Sequence, residues 1–74
     1  MMINIAYTDV NYELLTEKLA EVDESSDVMP YAIMNDKTMD ALPLVFKTEN
    51  GGYEFRGYRI LINNDLRFGD VDIR

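Results

Sequence analysis

The chain changes its hydrophobic period within its first 22 residues, and that change limits it to folds that mix strands with helices. "MINIAY" (2–7) is β-rich with alternating apolar positions and predicts a strand. From there Val10, Leu14, Leu15, Leu19 and Val22 recur at helical spacing, which predicts a helix over residues 10–22. Thr8, Asp9 and Asn11 can each accept a hydrogen bond from the free amides of a first turn, so the N-cap is expected between 8 and 11. "DESSDVMP" ends the helix. Its Ser and Asp side chains compete for backbone hydrogen bonds, and Pro30 disfavours helical geometry at Met29.

Beyond that point the pattern is mainly β. "YAIM" (31–34) suits a short strand, and "NDKTMDALP" (35–43) an irregular connection or one helical turn closed by Pro43. "LVFKT" and "YEFRGYRILIN" flank "ENGG", where Asn-Gly accepts the positive φ angles of a tight hairpin turn. Tyr53 and Phe55 share one parity, and Tyr58, Ile60 and Ile62 the other. A bulge at Gly57 would bring all five to one face, and Gly69 offers the same device in a last strand over 66–73, entered by the turn "NND" (63–65). The expected architecture is α+β: one helix packed on a three- or four-stranded, mainly antiparallel sheet, with residues 1–74 forming one small domain.

Composition removes several kinds of chemistry. The 74 residues contain no cysteine, hence no disulfide and no thiolate metal site, and no histidine, the commonest general base and metal ligand. No apolar run approaches the roughly 20 residues of a membrane span, so no membrane association is expected and the setting is a reducing cytoplasm. The net charge of −7 is unevenly placed. Residues 1–49 hold ten acids against three lysines, whereas residues 50–74 hold four acids against four arginines. Such a field repels nucleic acid and attracts basic surfaces.

The acids concentrate in "LTEKLAEVDESSD" (15–27) and just before it. Glu13, Glu17 and Glu21 lie four apart, on one helix face, where like charges weaken a helix by a few tenths of a kcal/mol per pair. Lys18 can pair with Glu21 but not with all three. Asp23, Glu24 and Asp27 carry the acidity past the helix C-terminus, where the macrodipole prefers cations. Two readings compete. One is a docking surface for an electropositive partner, with Tyr12, Met29 and Tyr31, and Tyr7 beside them, as apolar or aromatic anchors. The other is a solvated face that keeps a small acidic protein soluble.

The remaining constellations point to ordinary structure. Asp70 and Asp72 would share a strand face roughly 7 Å apart, a spacing compatible with inverting glycoside hydrolysis or Mg²⁺ binding. Arg67 and Arg74 are near enough to neutralise them, and so small a chain encloses a pocket with difficulty. Arg56, Arg59 and Arg67 with Tyr53, Tyr58 and Phe68 resemble a base-stacking platform but lack the surplus of positive charge it needs. Met29, Met34 and Met39 suit gap-filling in a core better than an exposed apolar surface. Ser25 and Ser26 have no histidine to activate them, and Gly51 and Gly52 belong to the hairpin. No catalytic residue, cofactor or metal is implied.

In size, acidity and lack of cysteine and histidine, the chain resembles the small acidic proteins with which bacteriophages take over host machinery, including inhibitors of host RNA polymerase. The resemblance implies docking on a basic region of a host nucleic-acid enzyme in the host cytoplasm, without direct binding of nucleic acid. Two alternatives accompany it: a DNA mimic that blocks a DNA-binding protein, and a structural virion or assembly protein. The sequence leaves the oligomeric state open.

Overall fold

The computed structural model describes residues 1–6 and 10–74. Eight elements follow in order: β1 (Met2–Asn4), α1 (Tyr12–Glu24), β2 (Tyr31–Met34), α2 (Asp36–Ala41), β3 (Val45–Lys47), β4 (Tyr53–Phe55), β5 (Tyr58–Ile62) and β6 (Asp70–Ile73). The six strands form one sheet in the order β1-β6-β2-β5-β4-β3. This corrects the expected three or four strands under one helix. The sheet is also mixed, because β2 and β5 run parallel, Tyr31 opposite Arg59 and Met34 opposite Ile62. Both β1 and β2 are antiparallel to β6 and therefore parallel to each other. The segment β1-α1-β2 is a crossover unit whose two strands are separated by the last strand of the chain.

Part of the difference arises at Arg56-Gly57. Phe55 pairs with Tyr58, and the two residues between them have φ of 50° and 87°. That is the type I′ pattern of a two-residue hairpin, not a bulge, so the stretch 53–62 folds back on itself as two strands. Tyr53, Phe55, Tyr58, Ile60 and Ile62 do fall on one face, for a reason other than the one expected. Gly69 is likewise not a bulge: it lies in the turn before β6, with φ of 87°.

Helix α1 starts and ends two residues later than its apolar period predicts. Asn11 is its N-cap, its side-chain oxygen accepting the Leu14 N–H at 3.1 Å. The other two cap candidates, Thr8 and Asp9, and the anchor candidate Tyr7 lie outside the described residues. At the far end the Ser25 amide reaches the Glu21 and Val22 carbonyls, and its hydroxyl donates to the Val22 carbonyl at 3.1 Å. The segment 35–43 forms a short helix, α2, capped by Asn35.

Both helices lie on the same side of the sheet. Leu15 and Leu19 of α1 and Met39 of α2 meet Val71 and Ile73 of β6, Ala32 and Met34 of β2, Ile60 of β5 and Phe55 of β4 in one buried cluster. Strand side chains alternate between faces. The partners of that buried set, among them Met2, Tyr31, Ile33, Phe46, Glu54, Arg59, Leu61 and Asp72, therefore occupy the opposite face, which no described element covers.

Candidate functional site

Residues of an α-helix advance by about 100° each, which places Glu13, Glu17, Glu21 and Glu24 within an arc of roughly 80°. Leu15 and Leu19, both fully buried, lie on the other side of the helix. The four glutamates are accordingly exposed along its outer pole. Lys18 reaches Glu21 at 3.2 Å, the one ion pair on this helix among the described residues. No basic residue occupies the last turn, so the helix end that prefers cations carries Glu24 in its place. Asp27 and Met29 continue the exposed surface into the loop, Met29 with about half its surface in solvent.

Three of the nine candidate residues stand apart from this stripe. Asp23 follows Leu15 and Leu19 at steps of four and turns toward the sheet, where it accepts a hydrogen bond from the Tyr58 hydroxyl at 3.1 Å. It fastens α1 to β5. Tyr12 has its ring beneath the Arg56 guanidinium, 5.5 Å from the ring centroid, with the Phe55 ring at 5.9 Å. Such a cation–π contact at an exposed site contributes on the order of 0.5–1 kcal/mol, and it leaves one face of Tyr12 occupied. Tyr31 sits opposite Arg59 on the far face of the sheet, away from the acidic helix. The structure thus brings together Glu13, Glu17, Glu21 and Glu24, with Asp27 and Met29 beyond the helix end.

Burial and then the bond to Asp23, with the charges of Asp23 and Glu24 behind it, raise the Tyr58 pKa above its ordinary value near 10. A phenol whose folded pKa lies above the unfolded one adds stability that is complete below pH ~10 and lost as pH rises through the folded value. Stability is therefore expected to fall on the alkaline side as the phenolate forms against two carboxylates. Tyr58→Phe should flatten that alkaline limb in denaturant titrations. Parallel limbs for the two proteins would show that Tyr58 does not carry the effect.

The other constellations read from the sequence resolve as structural contacts. Asp72 accepts from Arg74 Nε at 2.9 Å and lies 3.7 Å from the N-terminal ammonium, and Asp70 accepts from Asn4 Nδ2 at 2.8 Å. Among the described residues no group of three or more acidic side chains is close enough to hold a metal ion. Of the three methionines, Met34 and Met39 are buried. Arg56, Arg59 and Arg67 form no ion pair within 4.0 Å among the described residues, although Arg59 stands directly across from Glu54.

A buried polar cluster went unread in the sequence. Thr38, fully buried, donates its hydroxyl to Asn35 Oδ1 at 2.7 Å and accepts the Gly69 N–H at 2.9 Å. Asn35 Oδ1 also caps α2 by accepting the Thr38 N–H, while its amide nitrogen donates to the Leu66 carbonyl at 3.1 Å. "NDKT" is a legible capping signal for a short helix; its tie to residues 66–69 is not. No helix among the described residues is long and apolar enough to cross a membrane. No protein-family model, no curated protein and no solved structure matches the chain.

Proposed function

We propose that this protein is a non-catalytic binding module that docks the outer pole of α1 on a basic surface of another protein. Nucleic-acid enzymes such as bacterial RNA polymerase present surfaces of that kind. The observation that carries the reading is the row of four exposed glutamates on α1, of which Lys18 pairs with one, ending at an uncompensated helix C-terminus. Repulsion along the row is relieved only in part, by Lys18 at Glu21, and the unfavourable dipole interaction at the C-terminal turn meets no basic residue on the helix. A cationic partner would relieve both. Charge of this density steers encounter and fixes orientation. The exposed side chain of Met29 beside Asp27 then supplies adaptable apolar contact.

The test is affinity capture from bacterial lysate with the tagged protein and with a Glu13→Gln, Glu17→Gln, Glu21→Gln variant, at low and high salt. The expected result is a protein retained at low salt, released at high salt and lost with the variant. In surface plasmon resonance that loss should appear as an association rate at least tenfold slower, because exposed charge acts mainly on encounter. The variant should fold normally, or slightly more stably, since three repelling charges have gone. Capture indifferent to the three substitutions would remove the helix face from the mechanism.

A further inference from the structure

The face of the sheet turned away from the helices has a different chemistry from the rest of the molecule. Two rows of neighbours cross it. Met2, Asp72, Ile33 and Leu61 follow one another over β1, β6, β2 and β5. Tyr31, Arg59, Glu54 and Phe46 follow over β2, β5, β4 and β3. Phe46 is 63% and Leu61 40% exposed, and Ile33 and Tyr31 are half-buried in the central strand. The strands and chain ends put the N-terminal ammonium, Arg59 and Arg74 on this side against Glu54, Asp70 and Asp72, with Glu49 beside Glu54 and Arg59 at one end, a near balance of signs. A chain with a net charge of −7 therefore carries its acidity elsewhere.

We infer that this face binds a second copy of the chain, sheet against sheet, with both acidic helices turned outward. Charge selects that occupant. Two copies approaching by their helix sides bring the glutamate rows together, whereas approach by the sheet sides puts them at opposite ends of the pair, beyond the roughly 10 Å over which salt leaves charges in contact. The face lacks the positive surplus that a nucleic acid needs. A two-fold interface must be self-complementary, and a mixed-sign face meets that condition. Arg59 and Glu54 are cross-strand neighbours that do not pair within 4.0 Å in one molecule, so each is free to meet the other's counterpart across the axis.

Area sets the strength. Six strands spaced by about 4.8 Å and three to five residues long give roughly 300–400 Å² of flat face, below the ~800 Å² per partner of a standard stable complex. The pair is a concentration-dependent one. It would present two acidic helices back to back, making the proposed docking module bivalent, although it forms whether or not that docking occurs.

Sedimentation equilibrium and concentration-dependent ¹H–¹⁵N spectra test this between about 10 μM and about 1 mM, the range where a weak pair passes from dissociated to associated. The mass should rise from 8.6 kDa toward twice that value. Amide shifts should move at Tyr31, Ile33, Arg59 and Leu61 and stay fixed at Glu13 and Glu17. Added salt should change the pair far less than it changes acidic-face docking, because the acidic rows already stand beyond the screening distance and the Arg59–Glu54 pairs are enclosed by the interface. Leu61→Lys should weaken association at least tenfold. Arg59→Glu should weaken it too, and the exchange Arg59→Glu with Glu54→Arg should restore it, each variant being compared at equal thermal stability. A monomer at every concentration, or shifts confined to α1 or to the β3 edge, would overturn the inference.

Discussion

Replacing Gly69 by alanine is expected to lower the stability by about 3 kcal/mol, and the thermal midpoint by roughly 12–24 °C for a domain of this size. Two costs combine. Gly69 has φ of 87°, in the region where a β-carbon costs on the order of 1–2 kcal/mol. A β-carbon there would also collide with that of Ala6 and stand 3.0 Å from the Ala6 nitrogen. The backbone cannot move aside easily. Its N–H is held by Thr38 Oγ1 at 2.9 Å, and its carbonyl accepts the Ile5 N–H at 2.8 Å. Gly51 and Gly57 provide the control, with φ of 85° and 87° but open space around the missing β-carbon. Alanine at either should cost about 1 kcal/mol, the conformational part alone. Equal losses at all three positions would mean that the approach of Ala6 to Gly69 is not tight.

That contact also shows where sequence reasoning stops. Features set by neighbours in the chain were legible. Asn11 is among three cap candidates, and "YAIM" and the "ENGG" hairpin are strand and turn as their residues predict, whereas the face shared by Tyr53, Phe55, Tyr58 and Ile60 is expected from a bulge and arises from a turn. Features set by distant partners were not. Nothing in residues 2–4 or 70–73 states that β6 inserts between β1 and β2, because a strand of three or four residues has little pattern of its own. The Arg56-Gly57 turn was obscured because arginine is uncommon at a position that demands positive φ. The tightness at Gly69 depends on Ala6, 63 positions away in sequence.

The candidate site divides along the same line. The glutamate row is a local helical period and was visible. The apolar period ends the helix at residue 22 and leaves Asp23 in an exit loop; with two more residues in the helix, Asp23 continues the Leu15–Leu19 face and bonds to Tyr58. Tyr31 was grouped with the acids by proximity in sequence, although the alternation of a strand already separates it from buried Ala32 and Met34. The remaining surface is two-sided in character, acidic over α1 and mixed in sign over the open sheet. Fastenings between helix and sheet, such as Asp23–Tyr58, keep those two sides apart.

The strongest polar fastening lies under α2, and Asn35→Ala is expected to cost about 2–4 kcal/mol. Losing an N-cap side chain costs about 1 kcal/mol. Leaving the buried Thr38 O–H without an acceptor and the Leu66 carbonyl without a donor adds on the order of 1–3 kcal/mol. Thr38→Val keeps the side-chain shape and removes the oxygen that accepts from Gly69, so it should cost roughly 1–3 kcal/mol. The two sites share a hydrogen bond, and the double variant should lose less than the sum of the singles. Hydrogen exchange distinguishes this from general loosening. In Thr38→Val the Gly69 amide should exchange fastest relative to the parent, and protection should fall next in β6, whose first residue adjoins it. Since β6 joins β1 to β2, its loosening would detach β1 and leave β2 as an edge strand, and self-association should weaken in step while the acidic row on α1 keeps its spacing. Exchange that quickens equally in α1 and β6 would mean that the cluster stabilises the whole molecule without specifically anchoring the last strand.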